Sequence, residues 1–217
     1  MRAKAEWRKY PRTPDHPWSP GVGSDDKVAS DLSRLTGQDV VVTEKMDGEN
    51  TTLYRDGFHA RSPESGYHPS RSWLAGWHAG IAHVIPVGWR VCGENLYARH
   101  SVNYDSLPGY YLAFSVWDEA DRCLSWDATL AWLAERGIPA VPVLFRGLLT
   151  EAALRGLVKQ IDPARQEGFV IRTTDGFALA DFPTHVVKWV RAGYVASDIH
   201  WSKGPVIPNG LRQETMQ

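Results

Sequence analysis

The sequence predicts an α+β fold built on antiparallel sheets. Three observations predict it. Short apolar runs of strand length recur along the chain, separated by Gly, Pro, Asn and Asp. Only a few stretches have helical character. The runs are not spaced as alternating strand and helix, the order that marks a parallel sheet.

The elements follow in order. In residues 1–24, Pro11, Pro14, Pro17 and Pro20 recur every third position and exclude a helix. This arm holds five basic residues and one acid in its first twelve positions, so it is either a solvated tail or an arm that touches a polyanion. Asp25 to Leu35 predicts a short helix. DVVVTE (39–44) reads as a buried strand, and NTTLYR (50–55) and FHARS (58–62) alternate like strands around an Asp56-Gly57 turn. Arg71 to His83 reads as a helix despite Gly76 and Gly80. WRVCGENLY (89–97) and YYLAFSVWD (110–118) read as strands. A helix over Asp127–Arg136 stops at Gly137, a strand covers Ala140–Phe145, and Thr150 caps a helix reaching Gln160. EGFVIRTT (167–174), GFALADF (176–182) and THVVKWVR (184–191) read as three close strands, the first two joined by a hairpin at Asp175-Gly176. The expected organisation is an irregular arm (1–24), one domain (25–198) and a polar tail (199–217).

Composition sets bounds. With 217 residues and 43% hydrophobic content the chain can bury a real core, so disorder is excluded for most of it. A net charge of −1 gives no global field for nucleic acid, although a local patch remains open. Cys92 and Cys123 are too few for a disulfide scaffold or a four-cysteine zinc site, and the eight histidines lack ligand spacing. No apolar run approaches the roughly 20 residues of a membrane span, and no secretory signal follows MRAKAEWRKY. A cytoplasmic protein without a membrane partner is expected.

The chemistry concentrates in five segments. Thr43-Glu44-Lys45-Met46-Asp47-Gly48-Glu49-Asn50 ends a strand in a lysine followed by a turn. A rigid strand can aim that amine into a cleft, and an amine becomes a nucleophile when desolvation or nearby cations lower its pKa. Cys92-Gly93-Glu94-Asn95 puts an acid at a strand end. Ala113-Phe114-Ser115-Val116-Trp117-Asp118 carries an aromatic within a strand. Glu167-Gly168-Phe169-Val170-Ile171-Arg172 and Lys188-Trp189-Val190-Arg191 complete the set. Each alone is weak, and K-x-D-G alone is usually a plain turn.

Together and in this order, over residues 40 to 195, they resemble the covalent nucleotidyltransferases: ATP-dependent DNA and RNA ligases and mRNA capping enzymes. The form E-K-M-D-G-E-N, the His59-Ala60-Arg61-Ser62 strand end and Asp118 are similar to the nick-sealing RNA ligases. The resemblance implies an ATP-grasp-like ligase core, two antiparallel sheets flanked by helices with ATP between them. It implies an ATP-dependent RNA ligase joining 5′-phosphate and 3′-hydroxyl RNA ends through a lysyl-AMP. Lys45 would be the nucleophile. Lys188 would sit on the α-phosphate and help keep Lys45 unprotonated. Glu94 would hold the ribose, Phe114 would stack on adenine, and Glu167 would hold Mg²⁺ or Mn²⁺. Arg61 and Asn50 would contact phosphate or the RNA end, and the Glu44 backbone would read the adenine amino group.

Asp47, Arg172 and Arg191 are weaker candidates, each with a structural alternative. The last motif departs from the family pattern of two lysines flanking one residue, with Arg191 as the stand-in. Only 26 residues follow Arg191, so no OB domain is expected. RNA ends, including nicked duplexes, are the implied partners, with a kinase, phosphatase or RNA-binding protein as helper. The alternatives are a DNA ligase, a GTP-dependent capping-type enzyme, or a non-catalytic module binding nucleic-acid ends. His200-Trp201 could stack on a base or serve packing.

Overall fold

The computed structural model describes residues 6–23, 26–194 and 205–213. His200, Trp201 and the Asp198 boundary lie outside the described residues. Ten strands form two sheets: β1 (Asp39–Glu44), β2 (Glu49–Tyr54), β3 (Gly57–Ala60), β4 (Arg90–Asn95), β5 (Tyr111–Trp117), β6 (Arg122–Cys123), β7 (Val143–Leu148), β8 (Gly168–Thr173), β9 (Phe177–Ala178) and β10 (Val186–Val190). Sheet A has the order β10-β8-β1-β7 and sheet B the order β3-β2-β4-β5-β6-β9. Every ladder between these strands is antiparallel. The helices are α1 (Ser72–Ile81), α2 (Trp126–Ala134), α3 (Glu151–Gln160) and the single turn α4 (Phe182–His185).

Strand alternation explains both cores of sheet A. Val40 and Val42 on β1, Phe169 and Ile171 on β8, and Val187 and Trp189 on β10 face one side. There they meet Leu154 and Leu157, three apart on α3 and hence on one helix face. The Phe169 and Trp189 rings stack at 5.1 Å, which adds about 1 kcal/mol beyond area burial. The intervening residues, Val41, Val170, Arg172, Val186 and Lys188, face sheet B instead. Sheet B turns its outer face to α1 and α2, burying Leu53, Val91, Tyr111 and Val116 against Leu74, Trp132 and Leu133. Ser125 caps α2 through the Ala128 N–H, and Thr150 caps α3 through the Ala153 N–H.

Several expected elements differ. Residues 25–35 form no helix among the described positions. Asp15 pairs there, donating to the Lys27 carbonyl and accepting from the Ala29 N–H, and this tertiary ladder displaces a weak helical pattern. The β2–β3 turn lies on Arg55-Asp56, one residue early, with Gly57 already paired to Tyr54. Asp175-Gly176 is a crossover rather than a hairpin: β8 belongs to sheet A and β9 to sheet B, where β9 pairs with β6. GFALADF holds only a two-residue strand, followed by a 3-10 turn over Leu179–Asp181 and then α4, with Pro183 in its first turn. β7 begins at Val143, because Ala140 bridges to Ala113 of sheet B before Pro142 carries the chain across. Part of the C-terminal segment is also packed. Asn209 is buried, accepts from the Tyr104 N–H and donates to the Leu96 carbonyl.

Candidate active site

A groove of about 530 Å³ lies between the sheets. Its lining includes Glu44, Lys45, Asn50, Arg61, Glu94, Phe114, Arg172 and Lys188, which brings together most of the sequence candidates.

Lys45 follows the last residue of β1. Its N–H donates to the Gly168 carbonyl, extending the β1–β8 ladder and fixing the Cα. Its Nζ lies 2.6 Å from Glu167 Oε1 and 2.7 Å from Oε2. Glu167 is only 2% exposed, while the Lys45 side chain keeps 25%. Burial alone would lower the Lys45 pKa, but the Glu167 and Glu94 carboxylates outweigh it and hold the amine above its ordinary value. This differs from the expected lowering by Lys188. The Lys188 ammonium is tied elsewhere, 3.2 Å from Asp15 Oδ2 and 3.3 Å from Asp26 Oδ1.

Gly168 makes the Glu167 position possible. A Cβ there would collide with the Trp189 carbonyl on β10. Gly48 plays the same part in the turn after Lys45, where a Cβ would come 2.6 Å from the Asn95 carbonyl oxygen. Glu94, on β4, stands opposite Asn50 in the β2–β4 register. Its pKa is pushed up to about 8, first by burial, with the Lys45 cation opposing and Glu167 and Asp47 adding to the rise. Among the described residues Asn50 Oδ1 is buried without a hydrogen-bond partner.

Phe114 occupies a β-bulge. Cys92 pairs with Ser115 and Gly93 with Ala113, so Phe114 has no partner across the ladder. Bulges re-aim side chains beside active sites, and this one adds Phe114 to the groove wall. Val170, Trp126 and Phe182 line the same apolar wall.

The weaker candidates sit differently. Asp47 is buried and accepts from the Val102 N–H at 2.6 Å, while its own N–H donates to the Tyr104 hydroxyl. It anchors the loop after β4 and is not part of the groove lining. Arg172 spans the sheets beneath the groove, donating to the Phe114 and Leu124 carbonyls. Arg191 lies behind Glu167, donating through its N–H to the Glu167 carbonyl and through Nε to that of Gln166. Asp118 accepts from the Ala120 and Arg122 N–H groups and closes the β5–β6 turn. The Glu44 N–H bonds the Pro142 carbonyl, and its carboxylate accepts from Gln166. Arg61 is exposed at the mouth, where it lines a side cavity with Lys9 and Arg12.

The sequence reading missed the arm's part in the groove. Tyr10, Pro11, Arg12 and Thr13 line it, with the Tyr10 ring edge-on to Phe114 at 5.3 Å and to Phe182 at 5.4 Å. The only signals were the proline period, which keeps the arm extended, and its positive charge.

Among the described residues no cluster of three or more His, Cys, Asp or Glu forms a ready-made metal cage. The buried Glu167 fits a hard divalent cation that takes one carboxylate and draws its other oxygens from phosphate and water. Cys92 and Cys123 are free and buried. Among the described residues no helix is long and apolar enough to cross a membrane.

Solved structures with this fold include a variant of Naegleria gruberi RNA ligase with ATP and Mn (18% identity, TM-score 0.54, 76% of this chain and 53% of that one). An archaeal ATP-dependent RNA ligase is also similar (15% identity, TM-score 0.58, 85% and 48%). The chain thus spans about half the length of these proteins. No curated protein sequence matches it. The RNA ligase family model matches residues 38–190, from the start of the β1 region to the end of β10, and by that match the chain belongs to the RNA ligase family.

Proposed function

We propose that the protein is an ATP-dependent RNA ligase that works through a lysyl-AMP on Lys45. The observation that carries this reading is the Lys45–Glu167 ion pair at the end of β1, with Lys45 lining one groove together with Glu94, Phe114 and Lys188. The solved neighbours include complexes with ATP or AMP and Mn, which supports ATP and a divalent cation as the reagents here.

In the first step Lys45 Nζ attacks the α-phosphorus of ATP. An N–P bond forms, the bond to pyrophosphate breaks, and a proton leaves the amine. That proton passes to water, as does the one that the ammonium form of Lys45 gives up beforehand, because a Glu167 carboxylate that would hold the cation does not also serve as the base. Phe114 and the apolar wall hold the adenine, while Glu94 and Asn50 face the ribose. Lys188 offers a point charge to the α-phosphate. A divalent cation on Glu167, when bound, supplies charge neutralisation at the phosphates and disfavours the ammonium form of Lys45. In the second step a 5′-phosphate oxygen of RNA takes the AMP, breaking the N–P bond and returning a proton to Lys45. In the third, a 3′-hydroxyl attacks that 5′-phosphate, forming the phosphodiester and releasing AMP. Arg61, Arg12 and Lys9 at the mouth suit the RNA phosphates.

The test is label transfer. The protein is incubated with Mg²⁺ or Mn²⁺ and α-labelled ATP, with GTP and NAD⁺ in parallel, and run on a denaturing gel. Label from ATP alone, lost in Lys45→Ala, is the expected result. Label from GTP would move the reading to capping-type chemistry. No label from any nucleotide in folded protein would overturn it and leave a module that binds nucleic-acid ends.

A further inference from the structure

The family match begins at residue 38, yet residues 14–16 hold Lys188 from every side the strand leaves open. On the outer edge of β10, the Lys188 N–H donates to the Pro14 carbonyl at 2.9 Å. The His16 N–H donates to the Lys188 carbonyl at 2.7 Å. Asp15, between them, is fully buried and puts Oδ2 3.2 Å from Lys188 Nζ. Its backbone is clamped in turn by Lys27 and Ala29, and its Oδ1 accepts from the Ser19 hydroxyl at 3.3 Å. Asp26 Oδ1 approaches the same Nζ at 3.3 Å from the groove wall, held by the Gly23 N–H. A buried carboxylate is unfavourable unless it is paired, and its partner here is a lysine that faces the groove.

We propose that Asp15 and Asp26 are positioning residues that set the ammonium of Lys188 for nucleotide transfer. The inference rests on the lysyl-AMP reading. A lysine ammonium carries three donors at the end of a flexible stem, so partners are needed to hold it in one place. Asp26 Oδ1 accepts a hydrogen bond from the ammonium and the Asp15 carboxylate pairs with it by charge, while the lysine lines the groove. A cation fixed beforehand stabilises developing phosphate charge without reorganising during the step. Asp15 thereby makes the N-terminal arm part of the transfer machinery, although it touches no reacting atom.

The experiment measures single-turnover adenylylation of Lys45 against ATP concentration. The proteins are wild type, Asp15→Asn, Asp26→Asn, Lys188→Gln and the double variant Asp15→Asn/Lys188→Gln, with thermal melts on each. Asp15→Asn keeps the shape and the Ser19 contact while removing the charge. Its expected effect is a fall in maximal rate of roughly ten- to a hundredfold, with a smaller change in half-saturating ATP. Asp26→Asn, on the more exposed side, gives a smaller fall and carries the test if Asp15→Asn does not fold. The double variant should be no slower than Lys188→Gln, because the carboxylates act through that lysine. Wild-type rates in both Asn variants would overturn the proposal, as would fully additive losses in the double variant. If wild type itself takes no label, the lysyl-AMP reading fails and takes this proposal with it. Labelled wild type with equally fast variants sinks the clamp alone.

Discussion

Two glutamates next to glycines flank Lys45 from different sheets, Glu94 lining the groove and Glu167 buried against the Lys45 amine. Glu94 follows Gly93 on β4 of sheet B, and Glu167 precedes Gly168 at the start of β8 in sheet A. In both, the glycine lets a neighbouring strand come too close for a side chain. A Cβ on Gly93 would lie 2.6 Å from the Leu112 carbonyl oxygen, and one on Gly168 would strike that of Trp189. Burial pushes both carboxyls above their ordinary range, and they differ in what opposes the rise. Glu167 is almost fully buried and ion-paired with Lys45 through both oxygens. Glu94 receives the Gly48 N–H, and burial with two nearby acids pushes its carboxyl up to about 8. The local dipeptide sets the backbone, and Lys45, ion-paired with Glu167 on the neighbouring strand of its own sheet, opposes the rise at both carboxyls.

The largest expected effect comes from breaking the paired member. Glu167→Gln leaves the Lys45 ammonium without its carboxylate in a mostly buried place. It should destabilise the fold by about 3 kcal/mol at pH 7, measured by denaturant unfolding. The same variant removes a like charge from Glu94 and leaves Lys45 free to pair with it. The Glu94 titration, followed by carboxyl-carbon NMR, should therefore fall below 8. An unchanged titration would mean that the two acids do not sense each other, and the comparison would break.

The glycines come next. Gly168→Ala and Gly93→Ala should each cost about 1–3 kcal/mol, because backbone carbonyls cannot move aside as a flexible side chain can. Gly66→Ala is the control. Nothing lies within 4 Å of its Cβ position, so it should be neutral or slightly stabilising in the same melts. Equal effects at all three positions would show that lost chain entropy, rather than close approach, governs them.

This contrast also marks what the sequence could say. Val40, Val41 and Val42 announce a central strand because both faces of β1 are buried. Of the ordered motif residues, Lys45, Glu94, Phe114 and Lys188 line one groove, with Glu167 buried against Lys45. What was hidden depends on partners far along the chain. The bulge at Phe114 arises from how β5 registers on β4, and no residue in the strand signals it. The crossover at Asp175-Gly176 has the letters of a hairpin turn, but the two residues after it pair with β6. The helix expected over 25–35 loses to a ladder with Asp15. Asp15 carries no sequence signal of its own, because its partners lie on β10. Lys45 was expected to carry a lowered pKa from a nearby cation, and instead two carboxylates raise it.

A final effect separates the glutamates by pH. Folding raises the Glu94 pKa from the ordinary carboxyl value to about 8, so the folded state favours its protonated form. Below about pH 4.5 the group is protonated both folded and unfolded, and that stability is fully present. It is lost as pH rises through 8, where the folded chain must hold a buried charge that the unfolded chain hydrates freely. Glu94→Gln is neutral at every pH. It should match wild type near pH 4 and exceed it at pH 9 by on the order of 2 kcal/mol, since the side chain keeps some water contact. Glu167→Gln should be less stable than wild type at pH 7, where its carboxylate serves Lys45. Denaturant midpoints at pH 4, 7 and 9 for both variants decide the matter. A Glu94→Gln difference that does not grow with pH would assign Glu94 an ordinary carboxyl and leave burial, not charge, as what the two sites share.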